Sequence, residues 1–127
     1  MTKPNDFVLN SDYLALAQTD KNEFTAVFPA EFFPGGYTYD RTQDFTVPYT
    51  PGAIDMFLLS LNGSDYTLGN AITIESHIYE LYIFASRIDA RTIRVRLHEF
   101  NSQASGYNMP MQTVKVKLTS FQPPNVF

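Results

Sequence analysis

The apolar positions of this chain recur with a period of two along most of its length. In EFTAVFPAEFF, residues 23–33, Phe24, Ala26 and Phe28 alternate with Thr25 and Val27, and the run stops where Pro34, Gly35 and Gly36 supply a turn. YTYDRTQDFTV, residues 37–47, reads as a wetter strand with Thr38, Asp40, Thr42 and Asp44 on one face. AIDMFLLSLN, residues 53–62, is apolar on both faces, from Ile54 and Met56 through Phe57, Leu58 and Leu59, the pattern of a central strand covered on both sides. It ends at NGSD, a hairpin signal. YTLGNAITI, HIYELYIFASRI and RTIRVRLHEF follow, then a polar loop, NSQASGYNMP, and a last strand, QTVKVKLTSF. Breaks at intervals of about 8–12 residues predict an all-β sandwich or barrel. SDYLALAQ, residues 11–18, is the segment with most helical character, but Tyr13 and Leu16 serve equally in an edge strand, which is the expectation. The tail QPPNVF cannot continue a ladder through Pro123 and Pro124.

Composition sharpens this picture. The chain has 127 residues, 44% of them hydrophobic, enough for one core without staples. There is no cysteine, which removes disulfides, thiolate metal sites and thiol nucleophiles together. No signal-peptide core or membrane span is legible in the N-terminal stretch, so the chain is expected to be made in the cytoplasm and to stay soluble.

Three fragments carry a resemblance. FVLNSDY (residues 7–13), FTVPYTPGAIDMFLL (residues 45–59) and IFASRIDARTIRVRLHEF (residues 83–100) are similar to segments of the small β-sandwich structural proteins of bacteriophage virions, on capsid surfaces, tails and fibres. The second fragment matches a P-H-x-x-G-x-x-P pattern at Pro48 and Gly52 but has Tyr49 in place of the histidine and Asp55 in place of the last proline. No role tied to that histidine therefore carries over. The resemblance implies a single-domain antiparallel β-sandwich over residues 1–127, jelly-roll-like, in a non-enzymatic capsid-decoration or tail accessory subunit located in the virion. Its expected partners are copies of itself and other capsid or tail proteins.

Residues with chemistry to offer are few. His77 and His98 lie far apart in sequence, so a zinc site would need carboxylates such as Glu75, Glu80 or Glu99 from distant strands. No nucleophile elbow, phosphate loop or dinucleotide fingerprint occurs, and no metal or other cofactor is implied. Asp40 with Asp44, or Glu75 with Glu80, could be imagined as a glycosidase pair; same-face positions four apart on one strand, as Asp40 and Asp44 are, lie about 13 Å apart, too far for either class, and cross-strand pairs stay open. Asp89 and the sequon at Asn62 read as turn residues.

Charge is the sharper signal. Residues 1–84 carry eleven acids against Lys3, Lys21 and Arg41, a balance of −8, whereas the remainder carries Asp89 and Glu99 against six bases, a balance of +4. If RTIRVRLHEF and QTVKVKLTSF are neighbours, Arg94, Arg96, Lys115 and Lys117 share one outward face. That stripe either protects an edge or meets an acidic face of a neighbouring copy or shell protein, which makes it the candidate assembly interface. Nucleic acid is disfavoured by the net charge of −4 and by the absence of a basic run. A second function stays open, adhesion to host-surface glycan, with Tyr49, Tyr66 and Tyr107 as stacking residues.

Overall fold

The computed structural model describes residues 18–77 and 79–122. They form strands β1 (Gln18–Phe28), β2 (Glu31–Phe33), β3 (Thr38–Thr46), β4 (Ile54–Leu61), β5 (Thr67–Leu68), β6 (Ala71–Glu75), β7 (Tyr79–Asp89), β8 (Thr92–Asn101), β9 (Tyr107–Met109) and β10 (Gln112–Gln122), with no helix among the described residues. Two four-stranded antiparallel sheets, ordered β1-β10-β4-β5 and β3-β8-β7-β6, enclose one core, and β2 with β9 makes a short ribbon at the side. The first described strand pairs with the last, and β3 with β8, so early and late segments nest. The SDYLALAQ segment before Gln18, the FVLNSDY fragment and the tail after Gln122 lie outside the described residues.

Alternation builds the core. Ala26, Phe28, Phe57, Leu59, Leu61, Val114, Val116 and Leu118 of one sheet meet Leu81, Ile83, Ala85, Ile93, Val95 and Leu97 of the other, none more than 7% exposed. Each buried Leu, Ile or Phe contributes about 1.5–3 kcal/mol relative to exposure. YTLGNAITI is two strands rather than one: the chain leaves the first sheet after β5 and enters the second at β6, turning at Gly69, whose φ of 132° suits glycine. EFTAVFPAEFF also divides, because Pro29 and Ala30 separate β1 from β2. At NGSD the hairpin forms as expected, with Asn62 and Gly63 at φ 52° and 83°. There the Asn62 amide donates to Gln112 Oε1 at 2.8 Å and its oxygen accepts from the Thr113 N–H at 2.8 Å, so the sequon is a turn with both of its amide ends engaged.

Two inward-facing arginines join the layers. At one end Arg87 of β7 crosses to Asp55 of β4, Nε to Oδ2 at 2.8 Å and Nη2 to Oδ1 at 3.0 Å, and also donates from Nη2 to Ser120 Oγ at 3.2 Å. Ser120 Oγ in turn donates to Asp55 Oδ1 at 2.7 Å. Burial raises the Asp55 carboxyl, but hydrogen bonds from Arg87 and Ser120 outweigh it and hold the group below its ordinary 3.8. Towards the other end Arg41 of β3 grips the fully buried Glu99 of β8 at 3.0 and 3.1 Å and donates from Nη1 to the Pro29 carbonyl, just beyond β1, at 2.7 Å. Burial pushes the Glu99 carboxyl up despite this pairing. Asn101, also fully buried, donates to the carbonyls of Phe33, Pro34 and Ser105 at 3.1–3.2 Å and so pins the loop between β8 and β9. Gly35 is required there, since a Cβ would sit 2.0 Å from the Ala104 carbonyl oxygen.

Val95 is fully buried and Arg96 faces solvent, so Val95→Asp is expected to destabilise by several kcal/mol while Arg96→Asp folds normally. Equal melting temperatures for the two variants would reverse the assignment of faces. Asp55→Asn leaves Arg87 without its counterion, at a cost of about 3–5 kcal/mol in urea unfolding at neutral pH. Because the folded Asp55 lies below 3.8, its contribution is present above that pH and is lost as pH falls through the folded value. The difference between wild type and variant should therefore shrink at about pH 3 and below.

Candidate functional site

The outward residues fall on two separate faces. On the β3-β8-β7-β6 sheet the register sets Asp40, His98, Tyr82 and Thr73 in one cross-strand row, Thr42, Arg96, Phe84 and Ala71 in the next, and Asp44, Arg94 and Ser86 in a third. The first two basic residues of the predicted stripe are here, and both are partnered. Arg94 forks onto Asp44 at 2.8 and 3.0 Å. Arg96 and His98 converge on Asp40 Oδ1 at 3.0 and 2.8 Å. The hydrogen bond to His98, with Arg96 adding to it, holds Asp40 below its ordinary value, and Arg94 does the same for Asp44. Tyr82 and Phe84 stand 40% and 43% exposed beside them, and shallow depressions of about 320 and 400 Å³ flank Phe84 and Arg96.

Lys115 and Lys117 are elsewhere. They belong to β10, which pairs with β1 and β4, whereas β8 pairs with β3 and β7, so the expected neighbouring of RTIRVRLHEF and QTVKVKLTSF is overturned and the four cations do not share a face. An alternating strand declares its wet and dry sides but not its sheet, and both strands turn their basic side outward from opposite layers. Lys117 Nζ lies 4.3 Å from the ring centroid of Tyr66, and Glu23 is its cross-strand neighbour on β1. Lys115 has no ion pair among the described residues.

The β1-β10-β4-β5 sheet carries a second feature. Ile54, Met56 and Leu58 follow one another on the outward side of β4, with Phe121 opposite Ile54 and Leu68 opposite Leu58. Ile54 is 59% exposed, Met56 45%, Leu68 67% and Phe121 36%. The second face of AIDMFLLSLN is thus open among the described residues at Ile54 and Met56, with Leu58 half-buried and Ser60 buried, whereas its two-sided apolarity predicts cover along its length. A depression of about 290 Å³ opens between Met56 and Leu68.

The three candidate stacking tyrosines do not converge. Tyr49 lies in the β3–β4 connection under the Arg91 guanidinium at 5.0 Å, Tyr66 lies under Lys117, and Tyr107 stacks on Tyr79 at 5.8 Å against the core. Tyr82 and Phe84, which do stand together, carry no local signal that separates them from buried aromatics, because Leu81, Ile83 and Ala85, which alternate with them, are apolar too. Only the phase of the β7–β8 hairpin distinguishes the two sides. Its turn is held by Asp89 Oδ1, which accepts from the Arg91 N–H at 2.8 Å, the turn role expected of that residue.

Glu75 and Glu80 are a cross-strand pair. They sit on separate strands and face each other directly across the β6–β7 pair, so the single-strand separation does not apply to them. Both lie at the rim, and Tyr82 Oη donates to Glu80 Oε1 at 3.2 Å. Among the described residues no group of three or more His, Asp or Glu side chains is placed to hold a metal ion.

A carboxyl-detected NMR titration is expected to place the Asp40 midpoint below 3.8, with His98→Ala moving it upward. The stability that this cluster supplies is present above the ordinary carboxylate range and is lost as pH falls through the depressed value. An unchanged midpoint in His98→Ala would mean that the two side chains do not meet in solution. Comparisons with protein-family models, with curated proteins and with solved structures found no match to this chain.

Proposed function

We propose that the chain is a non-enzymatic structural subunit of a phage particle, a capsid-decoration or tail accessory protein, that attaches through the outward face of its β1-β10-β4-β5 sheet. The observation that carries this reading is the contiguous apolar row Phe121, Ile54, Met56, Leu58 and Leu68. Rows of this kind on a soluble domain mark contact surfaces for other proteins. At about 25 cal/mol per Å², covering a few hundred Å² is worth on the order of several kcal/mol, the main attractive term for a small subunit. Lys117 borders the row opposite Leu58, with Lys115 and Glu23 next to it, and these charges serve orientation rather than affinity. The phage setting comes from the resemblance of residues 45–59 and 83–100, which include the start of the row and the β7–β8 hairpin.

A second reading, glycan binding, draws on one observation, the exposed Tyr82 and Phe84 beside Asp40, His98 and Arg96 on the opposite face. Aromatic faces next to planar polar groups suit a sugar ring.

Co-sedimentation of the full chain with particles that lack it separates the two. Met56→Glu with Leu68→Glu is expected to weaken attachment by about tenfold or more, and Lys115→Gln with Lys117→Gln to weaken it less and reduce its salt dependence. Tyr82→Ala with Phe84→Ala, and Arg94→Gln with Arg96→Gln, should leave attachment unchanged. Attachment that survives the first pair, together with saturable sugar-competed binding that is lost in Tyr82→Ala with Phe84→Ala, would replace the structural reading with the glycan one.

A further inference from the structure

Among the described residues, β1 is the outer strand of its sheet. β10 pairs with it along its whole length, from Gln112 opposite Phe28 to Gln122 opposite Gln18, and no described strand pairs with its other side. At one end that free side is sealed by side chains of the facing sheet. The Gln43 amide meets Val27 as a strand would, Oε1 accepting from the Val27 N–H at 3.3 Å and Nε2 donating to the Val27 carbonyl, while Arg41 donates to the Pro29 carbonyl.

These contacts fix the phase of the edge. In an antiparallel ladder the N–H and C=O of one residue point to the same side, and successive residues alternate. Val27 points to the free side, so Thr25, Glu23, Lys21 and Thr19 do as well, and nothing among the described residues occupies their backbone groups. Among the described residues the strand is closed where Gln43 reaches it and open beyond.

We propose that this open stretch of β1 pairs antiparallel with the same stretch of a second copy of the chain, about a two-fold axis at Asn22, joining the two four-stranded sheets edge to edge. Charge selects the register. An axis at Lys21 would set Lys21 against itself, and an axis at Glu23 would set Glu23 against itself. An axis at Phe24 would bring Lys21 opposite Val27, whose edge Gln43 already fills. With the axis at Asn22, Lys21 of each copy lies opposite Glu23 of the other, and Thr25 lies opposite Thr19. The edge-directed residues then face one another as hydrogen-bonded pairs, and the polar Asn22 meets its own copy on the axis.

Edge charges commonly serve to keep strands apart. A lysine and a glutamate two residues apart on one edge are instead complementary to their own reverse, and both are exposed on the same outward side. Within each copy Glu23 also neighbours Lys117. The pairing therefore makes a row of alternating sign, Lys117, Glu23 and then Lys21 of the second copy. This contact is separate from the apolar row proposed for particle attachment and does not rest on it.

The chain has no cysteine, so Asn22→Cys places a single thiol on the proposed axis. At a non-hydrogen-bonded antiparallel position the two Cα atoms are about 4.5 Å apart, within disulfide range. Mild oxidation of the full-length variant is expected to give a covalent dimer, while a Lys115→Cys control stays reduced. Light scattering and sedimentation should find wild-type dimers at tens of micromolar, as an order of magnitude. Lys21→Glu should weaken the dimer by about tenfold or more, and Lys21→Glu with Glu23→Lys, which restores opposite charges across the axis, should recover it. A wild-type monomer throughout that range, an Asn22→Cys protein that oxidises no faster than the control, or a dimer indifferent to the charge reversals would each overturn the proposal, whatever the attachment assay shows.

Discussion

Arg87 and Arg41 set the terms on which the two sheets meet. Each is an inward-facing cation, Arg87 on a strand whose other inward positions are apolar and Arg41 beside the inward Gln43, and each is compensated by a carboxylate turned toward the same interior. Leaving either charge alone at that depth costs more than a core methylene is worth, so Asp55 and Glu99 are constrained to face inward. The Arg87–Asp55 pair crosses directly from one layer to the other, and Arg41 reaches the end of β1 through the Pro29 carbonyl. Between these clasps the apolar side chains need only alternate and fill. With the inward phase fixed near both ends of β7 and β8, the outward phase of every neighbouring strand in register follows.

That outward phase sets what each layer presents to solvent. On one layer it exposes acids opposite bases, Asp40 with Arg96 and His98, Asp44 with Arg94, so a set of charges that looks cationic in the sequence of β8 is neutralised by β3. On the other layer it exposes Ile54, Met56, Leu68 and Phe121. Arg94 and Arg96 of the basic stripe thus form half of a self-satisfied surface, and the apolar row takes over as the reason to expect a partner.

Period-two alternation and turn residues are sufficient to read an all-β sandwich or barrel, the antiparallel sandwich being what the resemblance implies, and most strand boundaries follow from Gly, Pro and Asn. What alternation cannot encode is which strands are neighbours. RTIRVRLHEF and QTVKVKLTSF have the same pattern and fall in different sheets, and YTLGNAITI looks continuous but bends from one layer to the other at Gly69. AIDMFLLSLN is apolar on both sides, which fits a strand buried twice as well as one with an open face, and what packs over its outward side decides the matter. The clasps were hidden for the same reason: Arg41 and Glu99 lie 58 residues apart and become adjacent through a pairing that no local pattern announces. Tyr82 and Phe84 were legible as strand residues, but their exposure depends on the register of a hairpin.

Hydroxyl-radical footprinting of the full chain, free and mixed with the particle of the proposed function, tests the central claim most directly, because Met, Phe and Tyr side chains react in proportion to their exposure. The account predicts that Met56, Phe121 and Tyr66 lose reactivity on attachment while Tyr82 and Phe84 keep theirs. Protection of Tyr82 and Phe84 with Met56 and Phe121 unchanged would contradict it and move the contact to the opposite face.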